Sequence, residues 1–227
     1  MTATPDEGQP PRFGARRLLY VGTGALGVMF MPMWANWLRT SYPDLELRTV
    51  LTRSAHQFTG PAAVAALGGR PPLLDAWPAD GEGSALHVEL AEWADAVLVH
   101  PATFHFTSRL ALGAADTPVL LALQCTRAPI AVAPALPPGG VGSPAYLRHV
   151  QALAERPNVV VVPPVRGFSV TTGNQDASPA ASVPAAVVAL ERLRADLRAG
   201  GAAGPGAAAG SGAAAGSGGA AGSGAVL

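Results

Sequence analysis

Short apolar runs alternate along this chain with longer segments that have helical character. The runs of strand length cover residues 17–22, 45–51, 96–100, 119–123, 130–133 and 158–162. The helical segments cover residues 24–40, 87–93, 107–114, 143–155 and 183–198, and a further helix begins within residues 52–58. Strands that alternate with helices predict a three-layer α/β fold with a mostly parallel sheet. Ligands in such folds bind beyond the carboxyl ends of the strands, so residues that directly follow strands are the functional candidates.

The two ends of the chain differ in composition from the region between them. Residues 1–15 are rich in proline and polar side chains, lack the pattern of a signal peptide, and predict a disordered leader. Residues 199–227 repeat alanine, glycine and serine and predict a disordered tail, because they offer no core-forming face. The folded domain is therefore expected to cover residues 16–198.

Composition and charge restrict the function. The 227 residues include 15 basic and 15 acidic side chains, so the net charge is zero and argues against a nucleic-acid partner. A single cysteine, Cys125, excludes an intrachain disulfide and a cysteine-based metal cluster, and favours a cytoplasmic location. We expect Cys125 to be buried in a strand of the core. The apolar stretch from Leu18 to Leu38 is interrupted by glycine, proline and asparagine, so we expect no membrane span.

Two polar turns follow the first two predicted strands. The first is Gly22-Thr23-Gly24-Ala25-Leu26-Gly27, whose glycines would let the backbone approach a phosphate. The second is Thr52-Arg53-Ser54-Ala55, whose hydroxyls and positive charge could hold the same group at a helix start. Taken alone, the first turn is equally typical of an ordinary strand-to-helix turn, and the second is more typical of an ordinary helix N-cap. Their occurrence after consecutive strands favours one shared mononucleotide-phosphate site.

The most specific pattern is His87-Val88-Glu89-Leu90-Ala91-Glu92-Trp93-Ala94-Asp95, followed by an apolar strand and by Pro101-Ala102-Thr103. Together with Leu110-Ala111-Leu112-Gly113-Ala114-Ala115-Asp116, it resembles the flavin-containing cysteine decarboxylases. That family includes the phosphopantothenoylcysteine decarboxylases and the epidermin-type peptidyl-cysteine decarboxylases. The resemblance extends over roughly residues 17–175 and implies a Rossmann-like flavoprotein fold with FMN as the cofactor.

The resemblance also implies roles for particular residues. His87 matches the active-site histidine and would act as a base toward the cysteine thiol, although a histidine at a helix start is by itself more often a capping or surface residue. The implied FMN contacts are Gly22, Thr23, Gly24, Ala25, Thr52, Ser54, Phe58, Pro101, Ala102, Thr103 and Ala135. The implied substrate contacts, in a loop that would close over the peptide end, are Phe168, Ser169, Thr171, Thr172 and Gly173.

The remaining histidines and tryptophans have simpler interpretations. We interpret the other histidines as structural or surface residues, because they lack metal-ligand spacing; they are His56, His100, His105 and His149. Trp93 is expected in the core. Trp34, Trp37 and residues 29–33 are candidates for an apolar subunit interface or, equally, for ordinary helix core.

One departure from the family concerns the substrate carboxylate. The family recognises it through an asparagine, and Pro137 occupies that position in Pro134-Ala135-Leu136-Pro137. Proline offers neither a polar side chain nor an N–H group. The carboxylate would therefore have to be bound elsewhere, by Arg166, by Arg127 or by the Gly139-Gly140 backbone.

Two further departures lie in neighbouring motifs. His105 replaces an asparagine in the turn after Pro101-Ala102-Thr103. Thr172 stands where phosphopantothenoylcysteine decarboxylases carry a cysteine that reduces the enethiol intermediate. Threonine cannot donate reducing equivalents, so this position resembles the peptide-modifying branch, which releases the enethiol.

The resemblance thus implies FMN-dependent oxidative decarboxylation of the C-terminal cysteine of a ribosomally made precursor peptide. The product would be an aminoenethiol for thioether rings of the aminovinyl-cysteine type. It further implies a homotrimer or homododecamer with FMN at the subunit interface. The alternatives are a phosphopantothenoylcysteine decarboxylase of coenzyme A biosynthesis, a flavin prenyltransferase, which the His87–Trp93 pattern does not resemble, and a regulatory binding protein that keeps the fold without catalysis.

Overall fold

A computed structural model of the chain describes residues 9–77 and 85–202. Its strands are β1 (Arg17–Gly22), β2 (Glu46–Leu51), β3 (Leu73–Leu74), β4 (Ala96–Thr103), β5 (Ile130–Ala135) and β6 (Val159–Val161). They form one six-stranded sheet in the order β3-β2-β1-β4-β5-β6, and every neighbouring pair is parallel. The predicted α/β fold is therefore confirmed. The strand order reverses between β1 and β4, which places the expected ligand crevice at the carboxyl ends of these two strands.

Seven helices cover the two faces of this sheet. They are α1 (Met31–Ser41), α2 (Pro61–Gly68), α3 (Leu86–Trp93), α4 (Phe104–Ala111), α5 (Pro118–Cys125), α6 (Pro144–Ala154) and α7 (Val183–Ala202). Two short 3₁₀-helices, Leu26–Phe30 and Arg53–Gln57, follow β1 and β2 directly. Proline occupies the first turn of α1, α2, α5 and α6, where its missing N–H costs no hydrogen bond.

Alternation along the central strands divides the core into two halves. In β1, Leu18 and Tyr20 pack with α1 and α7, whereas Leu19 and Val21 pack with α3, α4 and α5 on the other face. All four side chains are essentially inaccessible to solvent. Because successive side chains of a strand point to opposite faces, both faces of a buried parallel strand must be apolar, and this accounts for the continuous hydrophobic run.

The strand predicted at residues 119–123 is wrong, since this segment lies within α5. Thr117 caps the helix by accepting a hydrogen bond from the N–H of Leu120 (3.3 Å), and Pro118 occupies its first turn. A short apolar run does not distinguish a buried strand from a buried helix, and here the cap and the proline decide. Cys125 ends this helix and is exposed, so the expectation of a buried strand cysteine is also wrong.

The packed region begins ahead of residue 16. The hydroxyl of Tyr42 donates to the carbonyl of Pro11 (2.7 Å), and the ring of Phe13 packs edge-on against Tyr42. The N–H of Gly14 donates to Glu191 on α7 (3.1 Å). At the other end, α7 continues to Ala202. The rest of the predicted leader, residues 1–8, and of the predicted tail, residues 203–227, lies outside the described residues. No helix in the described part of the chain is both long and apolar enough to span a membrane.

Candidate functional site

Thr23 joins the carboxyl ends of β1 and β4. Its hydroxyl donates to the carbonyl of Pro101 (2.7 Å) and accepts from the N–H of Thr103 (2.8 Å), and its own N–H also donates to Pro101 (3.3 Å). The residue is 1% exposed. Among the predicted cofactor contacts, Thr23 therefore holds the two strand ends together, and its hydroxyl is already used within the chain.

The glycine turn after β1 lies directly against the hydroxyl turn after β2. A Cβ atom added to Gly24 would lie 2.4 Å from Oγ of Ser54, so only glycine permits this approach. The N–H of Thr52 donates to the carbonyl of Gly22 (3.0 Å), and the Thr52 and Ser54 hydroxyls lie 3.3 Å apart. The structure thus brings together the two turns that were predicted to share one phosphate.

These turns present backbone donors that have no acceptor within the described chain. The N–H groups of Gly24, Leu26 and Gly27 in the first turn, and of Arg53 and Ser54 in the second, make no hydrogen bond to it. Neither 3₁₀-helix has a side-chain cap at its N-terminus. Unpaired N–H groups beside hydroxyls and an arginine are the donors that a phosphate prefers. Because both helices span only five residues, these individual donors, rather than a helix dipole, make the site suitable for an anion.

The remaining predicted cofactor residues extend from these turns along β4 and β5. Ala102 is buried among core side chains, so a ligand would meet only its backbone. Thr103 pairs with Ala135 in the sheet, and its hydroxyl caps α4 by accepting from the N–H of Phe106 (3.1 Å). Phe58 follows the second 3₁₀-helix and is 40% exposed, so its ring is available to a ligand.

His100 is a structural histidine, as predicted. It is buried in β4, where Nε2 lies 2.9 Å from the carbonyl of Ala181 and Nδ1 lies 3.3 Å from the hydroxyl of Tyr20. A carbonyl can only accept, so Nε2 carries the proton and Nδ1 accepts from the tyrosine. Burial lowers the pKa of His100 below its ordinary value, which keeps the ring neutral.

His87 lies in the first turn of α3 and faces an aromatic partner. Its ring packs against Trp77 in a T-shaped arrangement, with centroids 5.6 Å apart. The Trp77 indole N–H donates to the carbonyl of Asp116 (2.9 Å). The Nδ1 atom of His87 is buried and has no hydrogen-bond partner among the described residues. A buried polar atom without a partner is unusual, so Nδ1 is the atom that a substrate or a further chain would engage.

The predicted substrate loop folds back onto the sheet after β6. Antiparallel bridges pair Gly167 with Ala177 and Leu136 with Ser178. Between these bridges, the side chains of Phe168 and Thr171 are exposed. The loop is held by internal hydrogen bonds: Oγ of the buried Ser169 accepts from the N–H of Thr172 (3.2 Å), the Thr172 hydroxyl donates to Asp176 (2.8 Å), and the N–H of Gly173 donates to the carbonyl of Ser169 (2.8 Å).

Within one copy of the chain, the predicted site residues form two connected groups and one separate residue. The turns after β1, β2 and β4 are joined by hydrogen bonds, and the substrate loop reaches the end of β5 through Ser178. No hydrogen bond links His87 to either group in the described part of the chain. Trp93, on the same helix, packs at the core with the guanidinium of Arg48 over its ring (4.3 Å), in agreement with its predicted core role.

The sequence interpretation missed Asp75, a buried carboxylate between β3 and α5. Its Oδ1 accepts from the N–H of Val119 (3.0 Å) and so caps α5 together with Thr117. Burial raises the pKa of Asp75, although hydrogen bonds from Val119 and Thr117 act in the opposite direction. The Thr117-Pro118 pair was the available signal, because a capping residue followed by proline is typical of a helix start. The first N–H groups of a helix need acceptors from outside it, and Asp75 supplies one of them.

Comparison with known proteins agrees with this arrangement. The family model described as Flavoprotein matches residues 10–190. The chain belongs to the flavoprotein family. It is 32% identical over 179 residues to the cypemycin cysteine dehydrogenase (decarboxylating) of Streptomyces sp., a match that covers 78% of this chain and 92% of that protein. It is also 40% identical over 94 residues to the coenzyme A biosynthesis bifunctional protein CoaBC of Vibrio vulnificus, covering 40% of this chain and 23% of that protein.

Solved structures of decarboxylases are also similar to this flavoprotein. The crystal structure of the cypemycin decarboxylase CypD has a TM-score of 0.68 and 28% identity, covering 84% of this chain and 99% of that chain. The FMN-dependent cysteine decarboxylase SpaF has a TM-score of 0.65 and 29% identity, covering 78% of this chain and 96% of that chain. The predicted resemblance to the flavin-containing cysteine decarboxylases is confirmed.

Proposed function

We propose that this flavoprotein is an FMN-dependent peptidyl-cysteine decarboxylase. It would oxidatively decarboxylate the C-terminal cysteine of a ribosomally made precursor peptide, giving an aminoenethiol for thioether rings of the aminovinyl-cysteine type. The observation that carries the proposal is the similarity to a decarboxylating cysteine dehydrogenase over 92% of that protein's length. The peptide-modifying activity is favoured over coenzyme A synthesis because the similarity to CoaBC covers only 40% of this chain.

The two adjoining turns fit an FMN phosphate. The free N–H groups of Gly24, Leu26 and Gly27 and the hydroxyls of Thr52 and Ser54 supply its donors. Further along the crevice, the ring of Phe58, the backbone of residues 101–103 and Ala135 would line the rest of the cofactor. When bound, FMN would supply the hydride acceptor that an oxidative decarboxylation requires.

His87 is the proposed base toward the cysteine thiol. Its Nδ1 atom has no partner in the described chain and can accept the thiol proton, while the edge contact with Trp77 restricts the orientation of the ring. The loop that includes Phe168, Ser169, Thr171, Thr172 and Gly173 would cover the peptide end and exclude water. Exposure of Phe168 at 57% leaves that ring free to contact the peptide.

The cofactor site is proposed to lie between copies of the chain, in a homotrimer or homododecamer. Four apolar side chains in and just after the glycine turn are each about half exposed, at 48–52%: Leu26, Met29, Phe30 and Met33. Apolar side chains grouped in this way are typical of an association surface. A neighbouring copy on this surface would also explain how His87, which stands apart from the turns in a single chain, could reach the cofactor.

We further propose a cytoplasmic location. The exposed Cys125 is a free thiol, and a free thiol on the surface is compatible with a reducing compartment.

The decisive experiment is to incubate the purified protein with peptides ending in cysteine and to follow their mass. Loss of about 46 Da, corresponding to carbon dioxide and two hydrogens, is expected together with the visible spectrum of bound FMN. Loss of about 44 Da would contradict oxidative turnover and indicate the coenzyme A reaction instead. A colourless protein without activity would indicate a regulatory binding protein.

Replacement of the proposed base tests its role. His87→Asn should keep the flavin spectrum but lower kcat/KM by about 100-fold or more, because the thiol loses its proton acceptor. His149→Asn, on α6, is the matched control and should retain wild-type activity. Full activity in the His87→Asn variant would contradict the assignment.

A further inference from the structure

A groove of about 440 Å³ opens beside the carboxyl end of β5. Three segments form it: the turn after β5, the segment after β6 and the returning strand of the substrate loop. The lining residues are Gly139, Val141, Gly142, Pro164, Val165, Arg166 and residues 175–178. The groove is large enough for the last one or two residues of a peptide, and its valines and proline offer an apolar wall.

Arg166 is the cation of this groove. Its Nε atom donates to the carbonyl of Gln175 (3.0 Å), which anchors the side chain to the returning strand. The terminal guanidinium nitrogens have no hydrogen-bond or ion-pair partner among the described residues. A guanidinium held at Nε and otherwise free can bind a carboxylate through two parallel N–H groups.

Several other candidate donors near this turn are missing or already used, whereas the N–H groups of Gly139, Val141 and Gly142 donate to no described residue. Pro137 has no N–H, and the N–H of Leu136 donates to the carbonyl of Ser178 (2.8 Å). The N–H of Gly140 donates to the carbonyl of Pro137 (2.9 Å), which closes the turn. The backbone of residues 136, 137 and 140 therefore cannot bind a carboxylate.

Arg127 is excluded by its position. It precedes the first residue of β5, whereas the groove follows the last. A strand of six residues separates the two by roughly 20 Å. Arg127 therefore lies near the amino end of β5, whereas the groove lies near its carboxyl end.

We propose that Arg166 binds the C-terminal carboxylate of the peptide substrate and replaces the asparagine that is missing at position 137. This inference rests on the proposed function. The groove also contains Asp176, whose Oδ1 accepts from the Thr172 hydroxyl (2.8 Å). A peptide end carries both a carboxylate and amide N–H groups, so a groove with one guanidinium and one carboxylate complements it in both charges.

The test compares binding of a carboxylate and its amide to the FMN-loaded protein. Two fluorescein-labelled peptides, Ala-Ala-Ala-Ala-Leu-Ser with a free carboxylate and with a C-terminal amide, are titrated by fluorescence anisotropy. Serine replaces cysteine so that no turnover occurs during the titration. The wild type should bind the acid about fivefold to tenfold more tightly than the amide, as an ion pair in an open groove allows.

Three variants locate this preference. Arg166→Gln should bind the two peptides equally, within about twofold, and Arg166→Lys should keep part of the preference because it retains the charge but not the bidentate geometry. Arg127→Gln is the matched control and should keep the wild-type ratio. An unchanged flavin spectrum in every variant shows that the site has folded.

The outcomes separate this inference from the proposed function. A wild-type acid preference that persists in Arg166→Gln, or a wild type that does not distinguish acid from amide, overturns the role of Arg166. Failure of the wild type to change the mass of any cysteine-ending peptide overturns the proposed function instead. With active peptides, Arg166→Gln should raise KM about tenfold with a smaller change in kcat, because the carboxylate is held before the reaction begins.

Discussion

Replacing Gly24 with alanine is expected to weaken FMN binding by separating the two phosphate turns. The added Cβ would lie 2.4 Å from Oγ, 2.5 Å from Cβ and 3.1 Å from the carbonyl carbon of Ser54. Rotation of the serine side chain can move only Oγ. The Cβ and carbonyl carbon belong to the turn itself, so the whole segment Arg53–Gln57 must shift by about 1 Å to restore ordinary contact distances.

The size of the effect follows from this shift. Overpacking of a well-packed contact costs about 1–3 kcal/mol. The turn can move away to relieve the clash in the apoprotein, but phosphate binding requires the donors of both turns at once. Most of the cost therefore appears as lost affinity, which corresponds to about 10- to 100-fold in the Kd for FMN.

Quenching of flavin fluorescence on titration into apoprotein measures this Kd. Gly60→Ala is the matched control, because a Cβ at Gly60 meets no atom within 4 Å, and it should bind FMN like the wild type. Combining Gly24→Ala with Ser54→Gly removes the two closest contacts and should recover part of the affinity. If Gly24→Ala binds FMN as tightly as Gly60→Ala, the two turns do not hold one phosphate.

Two buried titratable groups lead to predictions on stability. Burial raises the pKa of Asp75 in the folded protein. The free energy of unfolding therefore falls as the pH rises from about 4, the pKa of an aspartate in the unfolded chain, through the higher pKa of the folded protein. Asp75→Asn keeps an acceptor for the N–H of Val119 and should abolish this fall, as seen in Tm. Asp75→Ala should be about 1–2 kcal/mol less stable than Asp75→Asn at every pH, because the acceptor is lost. Equal pH profiles for the wild type and Asp75→Asn would refute the reasoning. Because burial lowers the pKa of His100, stability is lost as pH falls below about 6.5, where the unfolded chain binds the proton first. His100→Phe should cost about 1–3 kcal/mol in urea unfolding at pH 8 yet show a smaller acid loss, and an undiminished acid loss would exclude His100 as its source.

Strong local patterns predicted most of the fold correctly. The apolar runs of β1 and β4 are buried on both faces, as their composition predicts for central parallel strands. α5 was misassigned because four of its five residues from Val119 to Leu123 are buried, and a helix buried on several sides lacks the helical period. β3 has only two residues and was missed, since so short an edge strand is defined by its partner β2 rather than by its own sequence.

The candidate site was predictable only where it depends on topology. Parallel strands end at one edge, and this alone places Gly24 beside Ser54. The use of the Thr23 hydroxyl was not predictable, because it requires the register between β1 and β4 and the irregular pairing of β4 with β5 after Val99. The anchoring of Arg166 through Nε, which leaves its terminal nitrogens unpaired among the described residues, likewise depends on the path of residues 175–178. No local sequence pattern specifies that path.

Two of the departures from the family pattern, at Pro137 and Thr172, adjoin residues that line this groove. Pro137, which offers no side-chain donor, precedes the groove-lining Gly139 by two residues, and Arg166 lines the same groove with its terminal guanidinium nitrogens unpaired among the described residues. Thr172 stands where the phosphopantothenoylcysteine decarboxylases carry a cysteine thiol. Its hydroxyl donates to the carboxylate of Asp176, which lines the groove. An enzyme that releases its enethiol has no need of a reducing cysteine in this loop. Under the proposed function, position 172 is free to orient Asp176, and we expect the loop to serve as a charged binding surface for the peptide end.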